Sequence, residues 1–268
     1  MAEAHAKLTP EGVEVTTARV SELELIRPLP KLAKNEPLSV LIDAQRLQYA
    51  ADEPLRAHRA SDQAWQKGAR SKPKQHKRAG LEGPIRDAFM GRLAFVYGTL
   101  DEATRRANRE VAEHFSRIGH GVDIQYPVLP DHALTPELEA QSSLFIVGSA
   151  RDHRLLQGLK ADLPLRVEDE VLYLGQHPFK GKGVGGIAIT PSPKAPNHYW
   201  VLVQAVDVAG IWRALSLPKL LPDFLIYDAA LADAAAQQVL GSARVLAGGF
   251  FNEAWQLPPT IGDPEVAP

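Results

Sequence analysis

Short apolar runs that end in glycine and lead into amphipathic stretches are the main pattern of this chain. The run LAFVY at residues 93–97 is too short for a helix and predicts a strand covered on both faces. Gly98 then permits a sharp turn, and Thr99 with Glu102 three residues later is typical of a capped helix start. Apolar residues recur at helical spacing as far as Ile118. The pattern predicts a strand, a turn and a helix, which form the first half of a βαβ unit.

The same pattern occurs again further along the chain. Residues 122–128 alternate between apolar and polar positions, which predicts a half-exposed strand, and Thr135-Pro136 is typical of a helix start. The run SLFIV at residues 143–147 ends at Gly148, and residues 149–159 predict a second crossover helix. Two such units in series imply parallel strands with right-handed crossovers. We therefore predict an α/β fold, a three-layer Rossmann-like or flavodoxin-like mixed sheet with a small N-terminal β appendage.

The later segments extend this sheet. Residues 167–174, 186–190 and 199–206 predict strands joined by short loops, which favours an antiparallel extension at one edge. A buried strand is expected over 224–227, and a helix over 229–240.

Period-two alternation in the first 50 residues predicts a separate small sheet. The chain then divides into regions. These are a small β-sheet appendage at 1–50, a basic loop or linker at 51–82, the α/β domain at 83–258 and a flexible tail at 259–268.

Composition narrows the class of protein. The 268 residues are 45% hydrophobic and 23% charged, as in ordinary globular proteins, and a net charge of −2 favours neither nucleic acid nor anionic membrane. The absence of cysteine excludes disulfides and thiolate metal sites. No apolar run is long enough to cross a bilayer, and the first residues lack the features of a signal peptide. We expect a cytoplasmic protein if the chain is complete, or else a piece of a longer exported one.

The carboxyl ends of the two buried strands are the first candidate site. Open α/β sheets bind ligands in the crevice at these ends, so Gly98, Thr99, Gly148 and Ser149 are the candidate ligand-binding residues.

Ser149 could also suggest a nucleophile, since Asp152 and His153 follow it. A nucleophile elbow needs glycine two residues on either side of the serine, and here these positions hold Val147 and Arg151. The sequence therefore favours Ser149 as a helix cap, and no catalytic residue is predicted.

A glycine-rich basic loop is the second candidate. Lys180, Lys182 and Gly183 could hold a phosphate or another polyanion, because such loops expose backbone N–H groups. A phosphate loop opens a helix, whereas this one leads into a strand, so a flexible hairpin or bulge is favoured. The basic residues between 67 and 78 also allow a phosphate-binding patch, but a solvated loop is favoured.

Histidines and the remaining aspartates add no further site. The nine histidines form no His-x-His or His-x-x-x-His pair, so neither a metal nor another cofactor is predicted. His120 and His132 are expected in surface loops. Asp207, Asp223 and Asp228 flank strands and are interpreted as turn or cap residues.

A series of short motifs resembles a known family. The motifs are residues 80–90 (GLEGPIRDAFM), 95–99 (FVYGT), 145–149 (FIVGS), 154–156 (RLL), 191–193 (PSP), the strand from Tyr199, 221–224 (LPDF), 227–228 (YD) and 247–251 (AGGFF). Their order resembles the region that follows the catalytic domain in bacterial prolyl-oligopeptidase-like α/β-hydrolases, which are esterases and peptidases. The N-terminal strands are similar to the segment that joins the two regions.

In that family the catalytic triad lies in the preceding hydrolase domain, and this chain has no Gly-x-Ser-x-Gly motif. The resemblance therefore implies a non-catalytic accessory or interaction protein, associated with an α/β-hydrolase partner or with a second copy of itself. The aromatic residues Phe250, Phe251 and Trp255 would mark a contact surface if they were exposed together. The alternative is a small-ligand binder or hydrolase that uses the crevice at the ends of strands 93–98 and 143–148.

Overall fold

Alternating apolar residues in the first part of the chain and continuous apolar runs in the second build two different β architectures. The computed structural model describes residues 2–26, 37–60, 63–70, 75–117, 126–159, 163–217, 221–229, 245–259 and 261. The chain divides into two units, Met1–Lys72 and Pro73–Pro268.

The first unit is built from two small sheets that share one apolar core. One sheet has the order β1-β2-β4-β5, and the other has the order β3-β6-β7. Their strands are β1 (Glu3–Thr9), β2 (Gly12–Ala18), β3 (Glu22–Leu25), β4 (Leu38–Ile42), β5 (Gln45–Tyr49), β6 (Leu55–His58) and β7 (Gln66–Lys67). The inward residues of the central strands, such as Val13, Val15 and Val40, are buried with Trp65. Residues 51–72, interpreted from sequence as a loop or linker, therefore contribute two strands and a core tryptophan to this unit.

The second unit is organised around a seven-stranded mixed sheet with the order β17-β16-β14-β15-β10-β8-β9. The strands β15, β10, β8 and β9 are parallel, and β14, β16 and β17 each run antiparallel to their neighbours. Their bounds are β8 (Leu93–Tyr97), β9 (Val128–Pro130), β10 (Ser143–Val147), β14 (Gly185–Pro191), β15 (Tyr199–Ala205), β16 (Phe224–Tyr227) and β17 (Val245–Gly249). Every residue of β10 and β15 is buried, as expected for central strands covered on both faces.

The two faces of this sheet are covered by different kinds of structure. On one face lie α1 (Glu102–Ser116) and α3 (Val208–Arg213), whose inward residues include Val111, Phe115 and Ile211. On the other face lies a three-stranded antiparallel sheet of β11 (Leu165–Glu168), β12 (Val171–Leu174) and β13 (His177–Phe179). Leu165 and Leu172 from this small sheet belong to the hydrophobic core on that face, together with Leu144 and Trp200 of the central strands. The short helix α2 (Pro136–Gln141) has no buried residue.

The predicted three-layer α/β fold is wrong. More residues lie in strands than in helices, and several sheets are present rather than one sheet between two helical layers. The helix expected over 149–159 forms a turn and a single 3₁₀ turn, Arg154–Leu156. Its polar residues bond locally instead of continuing a helix, as Ser149 and His153 both bond nearby backbone N–H groups.

Several other expectations are met or fall outside the described residues. The strand at 93–97 and the helix after it form as predicted, although the side chain that caps the helix is Asp101 and not Thr99. Residues 118–125 lie outside the described residues, as does the helix expected over 229–240 except for its first residue.

One carboxylate fixes the turn between β4 and β5 in the first unit. Asp43 adopts a positive φ of 45°, and its carboxylate accepts hydrogen bonds from Thr17 N at 2.7 Å and Thr17 Oγ1 at 2.6 Å. The indole of Trp65 also donates to it, and Arg59 lies 3.2 Å away. Burial raises the pKa of Asp43, but the hydrogen bonds from Thr17 and Trp65 and the charge of Arg59 outweigh this effect and lower the pKa.

We expect Asp43→Asn to destabilise the protein by about 1–2 kcal/mol at neutral pH, because a charge-assisted acceptor is lost while asparagine still tolerates the positive φ. Since the lowered pKa makes this stabilisation present above the ordinary carboxyl pKa of 3.8, the difference from the native protein should shrink as pH falls below that value. Urea unfolding at several pH values measures it. Asp169→Asn is the matched control, because Asp169 has the same φ of 45° and is exposed. An equal loss in both variants would contradict the assignment.

Candidate functional site

The carboxyl ends of the parallel strands bring most of the predicted site residues to one edge of the seven-stranded sheet. Gly98 and Thr99 follow β8, and Gly148 and Ser149 follow the adjacent strand β10. Gly183 precedes β14, which runs antiparallel to β15 and so begins at this same edge. From β8 the chain goes to β9 on one side, and from β9 to β10 on the other side, so the strand order reverses here.

The crevice between β8 and β10 is occupied by the turn that follows β10. A Cβ placed on Gly98 would lie 2.5 Å from the carbonyl oxygen of Asp152, and the backbone N–H of Leu100 donates to that oxygen at 2.9 Å. Gly148 has a φ of +127°, and its Cβ position lies 3.1 Å from Oδ1 of Asp152. Both glycines are needed because Asp152 approaches so closely.

The carboxylate of Asp152 is the centre of a buried hydrogen-bond network. Its Oδ1 accepts from Ser149 Oγ at 3.0 Å. Its Oδ2 accepts from Thr104 Oγ1 at 3.0 Å and from Asn108 Nδ2 at 3.2 Å. Asp152 is only 3% exposed. Its donors come from the turn that follows β10 and from α1. Because these donors compensate a buried charge, the network holds the turn against the helix.

A second buried carboxylate, Asp131, lies beyond β9. It accepts from Thr99 Oγ1 at 2.6 Å and from the backbone N–H of Arg154 at 2.8 Å. Burial raises the pKa of Asp131, but the hydrogen bonds from Arg154 and Thr99 and the nearby His153 outweigh it and lower the pKa. The exposed side chains of His132 and Arg154 lie at 3.7 Å and 3.8 Å from Oδ1. Asp131 therefore joins the ends of β8 and β9 to the turn after β10.

His153 lies between these two carboxylates and is completely buried. Its Nδ1 accepts from the backbone N–H of Leu155 at 3.2 Å, which caps the 3₁₀ turn. Burial lowers the pKa of His153 to about 4, although the charges of Asp131 and Asp152 oppose this effect. The imidazole is therefore neutral at physiological pH and acts as a hydrogen-bond acceptor in the core.

These contacts limit what the edge can do chemically. The hydroxyl of Ser149 donates to Asp152 and the hydroxyl of Thr99 donates to Asp131, and both residues are below 10% exposed. Thr99 Oγ1 also lies 3.4 Å from His132 Nδ1, but its proton is directed to the closer carboxylate. A nucleophile must be accessible and must pass its proton to a base poised near neutral pH. Neither hydroxyl is accessible, and the lowered pKa of Asp131 makes that carboxylate a weak base.

The glycine-rich basic loop is held by a third aspartate. The N–H of Gly183 donates to Asp207 Oδ2 at 2.9 Å, and Asp207 Oδ1 accepts from Gly210 N at 2.7 Å at the start of α3. The backbone group that would face a phosphate therefore faces a carboxylate. Lys180 and Lys182 are exposed and have no ion pair in the described part of the chain.

An open groove of about 960 Å³ lies along the outer face of α1. Its lining is dominated by charged residues that pair one helical turn apart, and these pairs are Arg105–Glu102, Arg106–Glu110 and Arg109–Glu113. Such pairs are typical of a solvated helix face.

One ion pair at the opposite edge of the sheet was not expected from sequence. Lys77 belongs to the basic stretch interpreted as a solvated loop, yet its Nζ contacts Asp223, whose side chain is completely buried. Asp223 also accepts from Phe251 N at 2.9 Å, and Lys77 Nζ lies 5.0 Å above the ring of Trp255. No local pattern could reveal this pair, because 146 positions separate its members.

The described residues show neither a metal cluster nor a membrane helix. Among them, no group of three or more His, Cys, Asp or Glu side chains could hold a metal ion. No helix in the described ranges is both long and apolar enough to cross a membrane.

Comparison with protein-family models, with curated proteins and with solved structures finds no significant match to this chain.

The burial of His153 leads to a prediction about how the stability of the folded protein depends on pH. Its folded pKa of about 4 lies below the ordinary value of 6.5, so the unfolded chain binds a proton that the native protein does not. Stability should therefore fall as pH drops from 6.5 to about 4, by up to about 3 kcal/mol from this residue. In His153→Asn, whose amide oxygen can replace the Nδ1 acceptor, this part of the pH dependence should be absent.

Urea midpoints at pH 7, 5.5 and 4.5 measure this prediction. His132→Asn, at the exposed neighbouring histidine, serves as the control and should keep the slope of the native protein. A native slope in His153→Asn would show that His153 is not the titrating group.

Proposed function

We propose that this chain is a non-catalytic interaction protein that binds an α/β-hydrolase of the esterase or peptidase class. The observation that supports this most strongly is the pair of exposed apolar residues on the open edge of the seven-stranded sheet. Leu246 lies in β17 and is 38% exposed, and Phe250 directly follows this strand and is 60% exposed. The two residues lie on the same exposed side of the chain, with exposed Gly248 between them and buried Ala247 on the other side. Large apolar side chains exposed on one side of a strand are typical of a contact surface.

The position of these residues favours a protein partner. In the described part of the chain β17 pairs only with β16, and no other described strand lies along its outer edge, beside the apolar side chains. The strand contains no charged residue that would oppose the approach of another chain. An aromatic side chain next to an open strand edge is a common anchor at protein interfaces.

The carboxyl ends of β8 and β10 support a role without catalysis. The hydroxyl of Ser149 donates to Asp152, and that of Thr99 donates to Asp131. Asp152 also occupies the space next to Gly98 and Gly148. The resemblance to the region after the catalytic domain of prolyl-oligopeptidase-like hydrolases suggests the class of partner. The alternative, a ligand site or hydrolase at Gly98, Thr99, Gly148 and Ser149, has less support because a ligand would have to displace Asp152.

Binding to a hydrolase encoded next to this chain tests the proposal. The double variant Leu246→Ser/Phe250→Ser should weaken binding by about tenfold or more, because truncation of a buried aromatic anchor typically costs that much. Biolayer interferometry with the immobilised hydrolase measures the dissociation constant. Met90→Ser, at a residue that is 64% exposed, is the matched control and should bind normally.

Two separate peaks in size-exclusion chromatography at micromolar concentration would count against the proposal. An unchanged dissociation constant in the double variant would exclude β17 as the contact.

A fluorophosphonate probe tests the absence of catalysis in this chain. We expect no covalent labelling, because Ser149 and Thr99 donate their protons to carboxylates and are buried. Intact-protein mass spectrometry detects any adduct, and a serine hydrolase in the same tube serves as a positive control. Stoichiometric labelling that Ser149→Ala abolishes would overturn the proposed role.

A further inference from the structure

The strand β1 in the first unit is an edge strand that is open on both faces. It pairs with β2 over seven residues and has no neighbour on its other side among the described strands. All of its residues from Glu3 to Leu8 are exposed, and Thr9 is half-buried. Long, flat and unprotected edges are templates for pairing with another chain.

The side chains of β1 alternate in character between its two faces. Ala6 and Leu8 lie opposite Val15 and Val13, and Ala4 lies opposite Thr17, so these three extend the apolar face of β2. Val13 and Val15 are buried in the core of the unit, whereas Ala4, Ala6 and Leu8 lie beyond the part of the sheet that is covered. The other face carries Glu3, His5, Lys7 and Thr9.

The backbone groups of the apolar positions point to the free edge. The carbonyl of Val15 accepts from Asp43 N at 2.9 Å, so the backbone of Val15 is directed away from β1. Its partner Ala6 is then a non-hydrogen-bonded position in the β1–β2 ladder, and its N–H and C=O point outward. The same alternation directs the backbone groups of Ala4 and Leu8 outward.

The charges of β1 are self-complementary about His5. If a second copy pairs antiparallel with its two-fold axis at His5, then Glu3 faces Lys7 of the second copy, and Lys7 faces its Glu3. Ala4 then faces Ala6 of the second copy, and these outward residues exchange both backbone hydrogen bonds. A shift of the axis to Ala6 would instead place Lys7 against His5 and leave Glu3 opposite Thr9. Of these two registers, charge favours the one about His5.

We propose that β1 is a homodimerisation strand, on which a second copy of this chain pairs antiparallel about His5 to join the two four-stranded sheets into one. The pairing removes both open edges and brings the apolar stripes of Ala4, Ala6 and Leu8 of both copies together. The proposal does not rest on the hydrolase partner, because it uses residues of the first unit alone.

Sedimentation velocity of the full chain between about 1 and 100 µM is the first experiment, and a concentration-dependent dimer is expected. Ala6→Pro should be monomeric, because proline removes an outward N–H and leaves the β1–β2 ladder bonded. A native protein that stays monomeric at 100 µM, or a dimer that persists in Ala6→Pro, would overturn the proposal.

Charge reversal gives a test that does not depend on proline. Glu3→Lys makes β1 basic at both positions, and Lys7→Glu makes it acidic at both, so each variant should form its own dimer about tenfold more weakly than the native chain. An equimolar mixture of the two should restore the dimer, because every facing pair is then of opposite charge. Lys180→Glu, a reversal at an exposed lysine outside β1, is the control and should dimerise normally.

Thermal unfolding of each variant confirms that the first unit is folded, which matters for Lys7→Glu because Lys7 lies opposite Glu14 within the hairpin. Recovery of the dimer only in the mixture would support the register about His5. Equal dimerisation of the native chain, of both single variants and of the mixture would overturn it.

Discussion

The close approach of Asp152 to Gly98 is the contact on which the carboxyl edge of the main sheet depends. No side chain fits between the two backbones, since a Cβ on Gly98 would lie 2.5 Å from the carbonyl of Asp152. With the carbonyl fixed by Leu100 N, the Asp152 carboxylate is directed at Ser149, Thr104 and Asn108. A crevice that commonly receives a ligand in α/β proteins is therefore filled by the protein's own turn.

This contact also explains why sequence patterns could predict where the two strands end but not which residues fill the crevice between them. The strand at 93–97, the strand at 143–147 and the glycines after them could be predicted, because apolar runs and tight turns are local properties. The glycines indicated that another part of the backbone packs closely against them, but their positions did not indicate which residue this is. The same limit applies to Lys77, which local charge density placed in a solvated loop and which lies against buried Asp223.

The wrong fold class has a related physical cause. A strand buried on both faces needs cover on both, yet its own sequence does not specify whether helices or strands supply it. Here α1 and α3 cover one face, and the small sheet of β11, β12 and β13 contributes leucines to the other. The segment after β10 contains helix-compatible leucines, but its serine and histidine form local hydrogen bonds and its aspartate also accepts from α1. These bonds favour a turn, and the segment forms only a single 3₁₀ turn.

Two strands, β1 and β17, lie at the ends of their sheets and have no second neighbour among the described strands, but they differ in charge. In β1 the charged residues Glu3 and Lys7 alternate with apolar ones, so the dimer we propose would be selected by register as well as by hydrogen bonds. In β17 the residues are apolar or glycine, and a register shift changes no charge pair, so only the fit around Leu246 and Phe250 can distinguish one partner from another. A charged, self-complementary edge suits pairing with an identical chain, because a two-fold axis brings each charge to its opposite. An uncharged edge with an aromatic anchor suits a different protein that offers a pocket, and since the two edges belong to different units, neither contact uses the residues of the other.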